Sequence, residues 1–480
     1  MAGVFDRRSA RQTRAGIIRA ATHRTRGDCR SVSDPQPQSI EPAIIPRDQH
    51  VISRSQISDK ALTVLYRLKN AGYGAYLVGG GVRDLSLGRE PKDFDVATDA
   101  TPDEVKALFR NCRLIGRRFR LAHVHWGPEI IEVATFRALT PPDGDTDSDR
   151  VTEDGMIVRD NVYGTIEEDA LRRDFTINAL YYNIADFTVV DYAGGMEDIK
   201  AGRLRLIGDP AVRYREDPVR MLRAVRFAAK LGFTIDTATA EPIPWMAELL
   251  DDIPPARLFD EVLKLFMAGQ GVETFETLRQ HGLFRYLFPA SDTALDDDEH
   301  GQFVTFIARA LESTDKRVNE ERPVTPAFLF AALIWPAILA QLPGGRLQSQ
   351  INRELFEQAV TEALERQLRQ VAIPKRFSQP MREIWALQPR FDTRSEKKAK
   401  RLFAHPRFRA AYDFLLLRGE AGLADKALVE WWREYTTSSP DAPPPTPARR
   451  RRRGGKRRRG GHAGEANAAP SDSAVESGGE

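Results

Sequence analysis

Cysteine is almost missing. The 480-residue chain has two, Cys29 and Cys112. Two thiols so far apart build neither a disulfide framework nor a cysteine metal cluster, and they point to a reducing, cytoplasmic setting. Long apolar runs are missing too. No stretch has the length of a membrane span, and no leader with an apolar core opens the chain, so no integral membrane segment is expected. Net charge is scarce, at +3. It is also unevenly placed. Arg449, Arg450, Arg451, Arg452, Arg453, Lys456, Arg457, Arg458 and Arg459 supply nine positive charges, which leaves the rest of the chain at −6. Basic character is therefore a property of the tail and speaks of partners rather than of fold.

What is present divides the chain. With 41% hydrophobic and 29% charged residues there is enough for two or three domains. Residues 1–55 are rich in Arg, Ser, Gln and Pro without periodicity, and read as a disordered basic arm. Ser58 then caps a helix whose apolar stripe is Ala61, Leu62, Leu65 and Leu68. Strand and helix patterns mix over 56–207. From Asp209 to about Tyr435 the pattern is helical, and we divide it into 208–270 and 271–436. Trp335, Trp385, Trp431 and Trp432 read as packing residues there. Residues 437–480 turn to Ser/Pro, then Arg/Gly, and read as a disordered tail that binds polyanions with strong salt dependence. The fold class predicted is α+β: an N-terminal head with a small mixed β-sheet and helices, then an all-α neck and body, with disordered termini.

The chemistry concentrates in Tyr76–Val96. Tyr76, Leu77 and Val78 suit a buried strand. Gly79, Gly80 and Gly81 follow, and let the backbone turn tightly with amides free for phosphate oxygens. A short helix over Val82–Leu87 and a strand over Asp93–Ala97 complete the unit. Residues two apart in a strand share a face, so Asp93 and Asp95 project together while Phe94 and Val96 face the core. Two adjacent carboxylates repel unless a divalent cation lies between them, and Mg2+ with substrate phosphates is the natural candidate. No Gly-Lys-Ser/Thr closes the turn, so it is not a Walker loop.

Further acids and bases follow. Glu132 interrupts the apolar strand Ile130, Ile131, Val133, Ala134, and such a carboxylate calls for a partner or a metal. Residues 141 to about 158 read as a mobile loop. Ile166–Leu180 reads as one helix, with Arg172, Arg173 and Asp174 in its middle. Asp217 and Arg220 are three apart in an Arg-studded helix, Ala211–Leu231. Sharing a face, they can hold each other in one plane that reads a base edge.

A glycine turn followed by a DxD strand resembles the DNA-polymerase-β-like nucleotidyltransferase superfamily. The extended form Gly79-Gly-Gly-Val-Arg-Asp84 resembles its tRNA nucleotidyltransferase/poly(A) polymerase family. Arg172-Arg-Asp-Phe-Thr-Ile-Asn-Ala-Leu180 resembles that family's second nucleotide-binding motif, and Arg215–Phe227 its nucleotide-selecting helix. The basic segment Leu114-Ile-Gly-Arg-Arg-Phe-Arg-Leu-Ala-His-Val124 is similar to the one that marks bacterial poly(A) polymerases against CCA-adding enzymes.

The resemblance implies a nucleotidyltransferase head and transfer of AMP from ATP to an RNA 3′-hydroxyl, with two Mg2+ ions on Asp93 and Asp95. A third carboxylate is either Glu132 or Asp174. Gly79–Gly81 would cradle the triphosphate with Arg83 near it, Asp84 would support the metal site or the loop, and Arg172 and Arg173 would add phosphate contacts. Asp217 and Arg220 would read the adenine. Arg117, Arg118 and the tail cations would bind RNA. The implied partners are RNA 3′ ends and RNA-decay proteins, and a monomer is the default. The alternatives are a CCA-adding enzyme, which would also use CTP, and an inactive RNA-binding adaptor.

Overall fold

The computed structural model describes residues 41–116, 120–139, 150–153, 156–348, 351–392 and 394–438. The head is built on an eight-stranded sheet in the order β1-β10-β9-β2-β3-β6-β5-β4. Its strands are β1 (Ala43–Ile45), β2 (Ala75–Val78), β3 (Asp95–Thr98), β4 (Cys112–Ile115), β5 (Leu121–Trp126), β6 (Glu129–Thr135), β9 (Leu180–Asn183) and β10 (Val189–Asp191); a hairpin of β7 (Arg150–Glu153) and β8 (Met156–Asp160) stands apart. All neighbours in the large sheet are antiparallel except β3 and β6, so the sheet is mixed as the sequence predicts.

Among the described residues, five helices accompany the strands of the head: α1 (Asp59–Asn70), α2 (Gly80–Ser86), α3 (Pro102–Leu108), α4 (Ile166–Arg172) and α5 (Gly195–Ala201). Their starts are chemically legible. The Ser58 hydroxyl accepts from the Ala61 N–H at 3.1 Å. Thr101 and Glu104 form a reciprocal capping box with Pro102 at the first helical position. Ala61, Leu65 and Leu68 are buried as the stripe requires, together with Val64.

Beyond the head, β11 (Arg203–Leu204) pairs in parallel with β12 (Thr234–Ile235), and the rest is helical. The neck begins with α6 (Pro210–Glu216) and α7 (Val219–Leu231), followed by two short turns, α8 (Thr237–Ala240) and α9 (Ile243–Met246), and then α10 (Pro255–Phe266). The described residues of the body add α11 (Gly271–Gln280), α12 (Pro289–Asp296), α13 (Gln302–Asn319), α14 (Pro326–Leu339), α15 (Arg353–Gln370), α16 (Lys375–Leu387), α17 (Glu396–Phe403), α18 (Phe408–Glu420) and α19 (Lys426–Ser438). α14 is apolar all round and sits in the interior, as such a helix must. Trp335, Trp385 and Trp432 are fully buried. One apolar cluster runs from Ile52 to Leu423, so the helical half packs continuously onto the sheet. Among the described residues no helix is long and apolar enough to cross a membrane.

Several boundaries differ from the sequence pattern. Ordered chain begins before residue 56: Ala43–Ile45 pairs with Val189–Asp191 at the sheet edge. Three residues are too few for a strand period to register. Residues 150–153 and 156–160 form the β7–β8 hairpin rather than loop. The helix expected over Ile166–Leu180 stops at Arg172, because Arg173 is extended (φ −61°, ψ 165°), and a 3-10 turn and β9 follow. The long neck helix is broken at Asp217, which is extended (φ −154°, ψ 93°) ahead of Pro218, as a residue before proline prefers. The strand after the glycine turn starts at Asp95, and Asp93 lies just outside it. The arm over 1–40, Arg117, Arg118 and the tail cations Arg449–Arg453 and Lys456–Arg459 lie outside the described residues.

Candidate active site

The site grows from the centre of the sheet. β2 ends at Val78, opposite Asp95 on β3, and Asp95 is opposite Glu132 on β6. Cross-strand partners share a face, so the two carboxylates stand side by side. Asp93 is exposed just ahead of β3. Burial raises the Asp95 carboxyl, Glu132 and Asp93 push it further, and the protonation midpoint reaches about 6 although Arg173 and His123 pull it down. Asp95 and Glu132 thus repel each other across neighbouring strands with Asp93 close by, and Arg173 and His123 offset part of that repulsion.

Gly79 caps α2 at φ 65°, ψ −135°, a conformation that side chains avoid. A Cβ there would lie 3.5 Å from Arg173 Nη1 and 3.9 Å from Asp95 Oδ2. The glycine turn, one guanidinium and the central carboxylate therefore meet. Arg173 is held from behind. Its Nε donates to the Tyr181 hydroxyl at 2.8 Å, and its Nη2 to Asp169 Oδ2 at 3.0 Å. The Tyr181 hydroxyl itself donates to Asp169 Oδ2 at 2.6 Å. Burial opposes the Arg173 charge, but Tyr181 and Asp169 outweigh it and hold the guanidinium protonated.

Asp174 is placed differently. Its Oδ1 accepts from the Phe175 N–H at 2.8 Å and from Asn178 Nδ2 at 3.1 Å, and its Oδ2 accepts from Arg223 Nε at 2.8 Å. Burial raises this carboxyl, and Arg223, Asn178 and Phe175 together drive it well below the ordinary carboxylate range. Arg83 is 2% exposed. Its Nε donates to Asp84 Oδ1 at 2.8 Å and its Nη1 to Asn178 Oδ1 at 2.7 Å, while Lys230 Nζ stands 3.7 Å from Asp84 Oδ2. Lys230, Asp84, Arg83, Asn178, Asp174 and Arg223 thus form one chain of contacts from α2 through the bend after α4 to α7. Arg172 turns aside and donates to the Ala138 carbonyl.

Asp217 and Arg220 do not hold each other through their side chains. Asp217 Oδ2 accepts from Arg257 Nη2 of α10 at 2.8 Å. Arg220 Nη1 donates to the Arg213 carbonyl at 2.7 Å and to Glu216 Oε2 at 2.9 Å. The break at Pro218 takes the two residues off one continuous helix face. They remain neighbours at the α6–α7 junction, where the Arg220 N–H donates to the Asp217 carbonyl at 3.0 Å.

Sequence patterns do not single out His123, Asp169, Asn178, Tyr181, Arg223 or Arg257 as site residues, yet the fold brings each of them to the site. Asp169 carries a signal, since it lies four residues before Arg173, within ion-pair reach on a helix. Arg257 carries none, being 40 residues from its partner.

Among the described residues, no three His, Cys, Asp or Glu side chains form a ready-made metal cage. The donor set still fits Mg2+, which takes one or two carboxylates and completes its shell with water and substrate phosphates.

The Poly A polymerase head domain matches residues 75–205, the probable RNA and SrmB-binding site of polymerase A matches 232–295, and the polymerase A arginine-rich C-terminus matches 349–463. The chain is 53% identical over 421 residues to Poly(A) polymerase I of Salmonella typhi, covering 85% of this chain and 90% of that one. It belongs to the poly(A) polymerase family.

The CCA-adding enzyme of Bacillus subtilis is more distant as a whole. It is 41% identical over 228 residues, covering 48% of this chain and 55% of that one. The crystal structure of the Bacillus stearothermophilus CCA-adding enzyme with CTP superposes with a TM-score of 0.52 at 26% identity, over 78% of this chain and 82% of that one. The poly(A) polymerase family and the CCA-adding enzymes thus share this architecture, and the likeness to Poly(A) polymerase I runs into the helical half.

Proposed function

We propose that this chain is a polynucleotide adenylyltransferase. It transfers AMP from ATP to an RNA 3′-hydroxyl without a template and releases pyrophosphate. The observation that carries the reading is the placement of Asp95 opposite Glu132 on neighbouring strands beside the Gly79 turn, with Asp93 just ahead of the strand, in a chain of the poly(A) polymerase family. The CCA-adding alternative is less favoured, because the sequence match to the Bacillus subtilis CCA-adding enzyme covers 48% of this chain at 41% identity, against 85% at 53% for Poly(A) polymerase I.

The residues then divide the work. The amides of the Gly79–Gly81 turn and the Arg173 guanidinium face the triphosphate, and the pair Asp169–Tyr181 keeps Arg173 aimed. Asp93, Asp95 and Glu132 would hold the divalent ions. When bound, Mg2+ lowers the pKa of the attacking hydroxyl and neutralises the leaving phosphates. We assign Glu132 as the third carboxylate, since both oxygens of Asp174 already accept from protein donors. Asp174 instead fixes the bend that carries Arg173. Arg83 and Asp84 support the turn from inside. Asp217, held by Arg257, and Arg220 read the adenine. Arg117, Arg118 and the arginine tail bind RNA. The head, which β1 extends ahead of residue 56 to Ala43, the 208–270 neck and the 271–436 body act as one cytoplasmic monomer on RNA 3′ ends, and the tails it adds feed RNA decay.

Primer extension tests this. The protein is incubated with a short unstructured RNA, Mg2+ and each nucleoside triphosphate singly, with Asp95→Ala alongside. Long products with ATP alone, absent in the variant, are expected. Growth by a few residues that needs CTP would move the chain to the CCA-adding branch.

A further inference from the structure

Glu132 lies in a row of residues that runs across the sheet. Asp95 on β3 is opposite Glu132 on β6, Glu132 is opposite His123 on β5, and His123 is opposite Arg113 on β4. Directly opposed residues share a face, so the order along that face is carboxylate, carboxylate, imidazole, guanidinium. His123 Nε2 stands 3.2 Å from Glu132 Oε2. An ionised carboxylate only accepts, so Nε2 carries the proton and donates. Glu132 is flanked on its other side by Asp95, whose charge repels its own. A long glutamate beside a like charge swings away unless something holds it. The side chain of Glu132 is 41% exposed and that of His123 is 19% exposed, so the imidazole is the more fixed of the two.

We propose that His123 is a positioning residue: its Nε2–H holds the Glu132 carboxylate beside Asp95, so that the site can receive a divalent ion together with nucleotide phosphates. This rests on the assignment of Glu132 as the third carboxylate. The role needs one donor on β5 at this register and no change of protonation. His125, two residues on, faces Ile130 and holds no carboxylate in this way. Its ring lies 6.1 Å from that of His123, and its Nε2 finds no partner among the described residues.

The test uses the full chain with five variants: H123F, H123Q, H125F, E132Q, and H123F with E132Q. Primer extension gives kcat and KM for ATP. Titration with Mn2+, followed by electron paramagnetic resonance in the presence of ATP and without RNA, gives ion affinity apart from turnover. Groups that orient metal ligands typically change affinity or activity by about 10–100-fold. H123F should lose about that much in both kcat and Mn2+ affinity, with KM for ATP within about twofold. H123Q restores a donor and should recover most of both, and H125F should match the parent chain. Added to E132Q, H123F should cost nothing more, because the group it positions is already gone.

An H123F variant with unchanged kcat and Mn2+ affinity overturns the proposal, and so does a loss that is equally large in the E132Q background. A fall in melting temperature that is the same for H123F and H123Q, without recovery of ion affinity in H123Q, makes the role structural and also overturns it. An active E132Q overturns the assignment of Glu132 itself, whereas an inactive E132Q beside a fully active H123F overturns only the role of His123.

Discussion

Arg223 donates through Nε to Asp174 Oδ2 at 2.8 Å, and so ties the bend that follows α4 to the longest helix of the neck. Asp174 is one residue from Arg173, the guanidinium beside the glycine turn. The pair therefore sets where Arg173 begins, without touching the carboxylate cluster itself.

The pair is largely but not fully buried, with the Arg223 side chain 31% exposed, so removing Asp174 leaves a guanidinium charged and partly desolvated. Asp174→Asn should destabilise the fold by about 3 kcal/mol at neutral pH. The sign of the pH dependence follows from the lowered Asp174 carboxyl. A depressed carboxyl contributes stability above its unfolded pKa, near 4, and loses it as pH falls towards the folded value. The gap between parent and variant should stay constant from about pH 7 to 5 and narrow below pH 4, by about 1 kcal/mol per pH unit. Urea unfolding at several pH values reads this directly. A gap that widens in acid would contradict the pairing.

Arg173 is held by two groups behind it, Tyr181 and Asp169. Tyr181→Phe removes a hydroxyl that accepts from Arg173 and donates to Asp169. Losing such a bond costs about 1–2 kcal/mol, or roughly tenfold in activity. Asp169→Ala removes the charged partner as well and should cost more. Both variants should raise KM for ATP and leave RNA affinity unchanged, as measured by steady-state extension and by filter binding. Equal losses in both affinities would point to a general collapse of the head.

The glycine turn and Asp95 are legible in the sequence because their signals are local: a β-branched strand end, three glycines and an acid at strand spacing. Periodicity alone pairs Asp93 with Asp95 on one strand, but the strand starts at Asp95, since a sequence pattern does not mark the first hydrogen bond of a ladder. Arg172, Arg173 and Asp174 suit a helix by composition. The chain leaves the helix there because Asp174 and Arg173 find partners on other elements, which no local pattern encodes. Asp217 and Arg220 sit three apart, as an ion pair would, yet Pro218 breaks the helix between them. Arg257 takes the partner that spacing gives to Arg220.

Gly79→Ala tests the turn. An alanine Cβ would meet Arg173 Nη1 and Asp95 Oδ2 at 3.5 and 3.9 Å, which is ordinary contact rather than a clash. The cost is backbone strain at φ 65°, about 1–3 kcal/mol. The variant should fold with a lowered melting temperature and transfer AMP slowly. Gly195→Ala is the contrast: its Cβ would stand 2.3 Å from the Thr176 carbonyl oxygen, so the backbone around the 3-10 turn must move. The melting temperature should fall further there than in Gly79→Ala, as scanning calorimetry would show. The reverse order would remove the argument that Gly79 is strained rather than crowded.

Arg257 gives a test of nucleotide choice that leaves the carboxylate cluster alone. It lies on α10 and donates to Asp217 Oδ2 at 2.8 Å across the neck. The side chain of Asp217 is 19% exposed, and without Arg257 its partly buried carboxylate keeps only the longer bond from the Val219 N–H, at 3.3 Å. A base-reading carboxylate works by presenting its acceptors in a fixed plane, and loosening that plane weakens discrimination more than it weakens transfer. Arg257→Ala should therefore raise KM for ATP by about tenfold, which corresponds to about 1.4 kcal/mol. It should also allow other nucleotides into the product, while kcat with saturating ATP stays within a few fold. Competition between ATP and CTP in one extension reaction, read by sequencing the added residues, measures this. If Arg257→Ala adds adenosine as faithfully as the parent chain, then Asp217 does not read the base, and the choice of nucleotide must be made by Arg220 or by groups nearer the glycine turn.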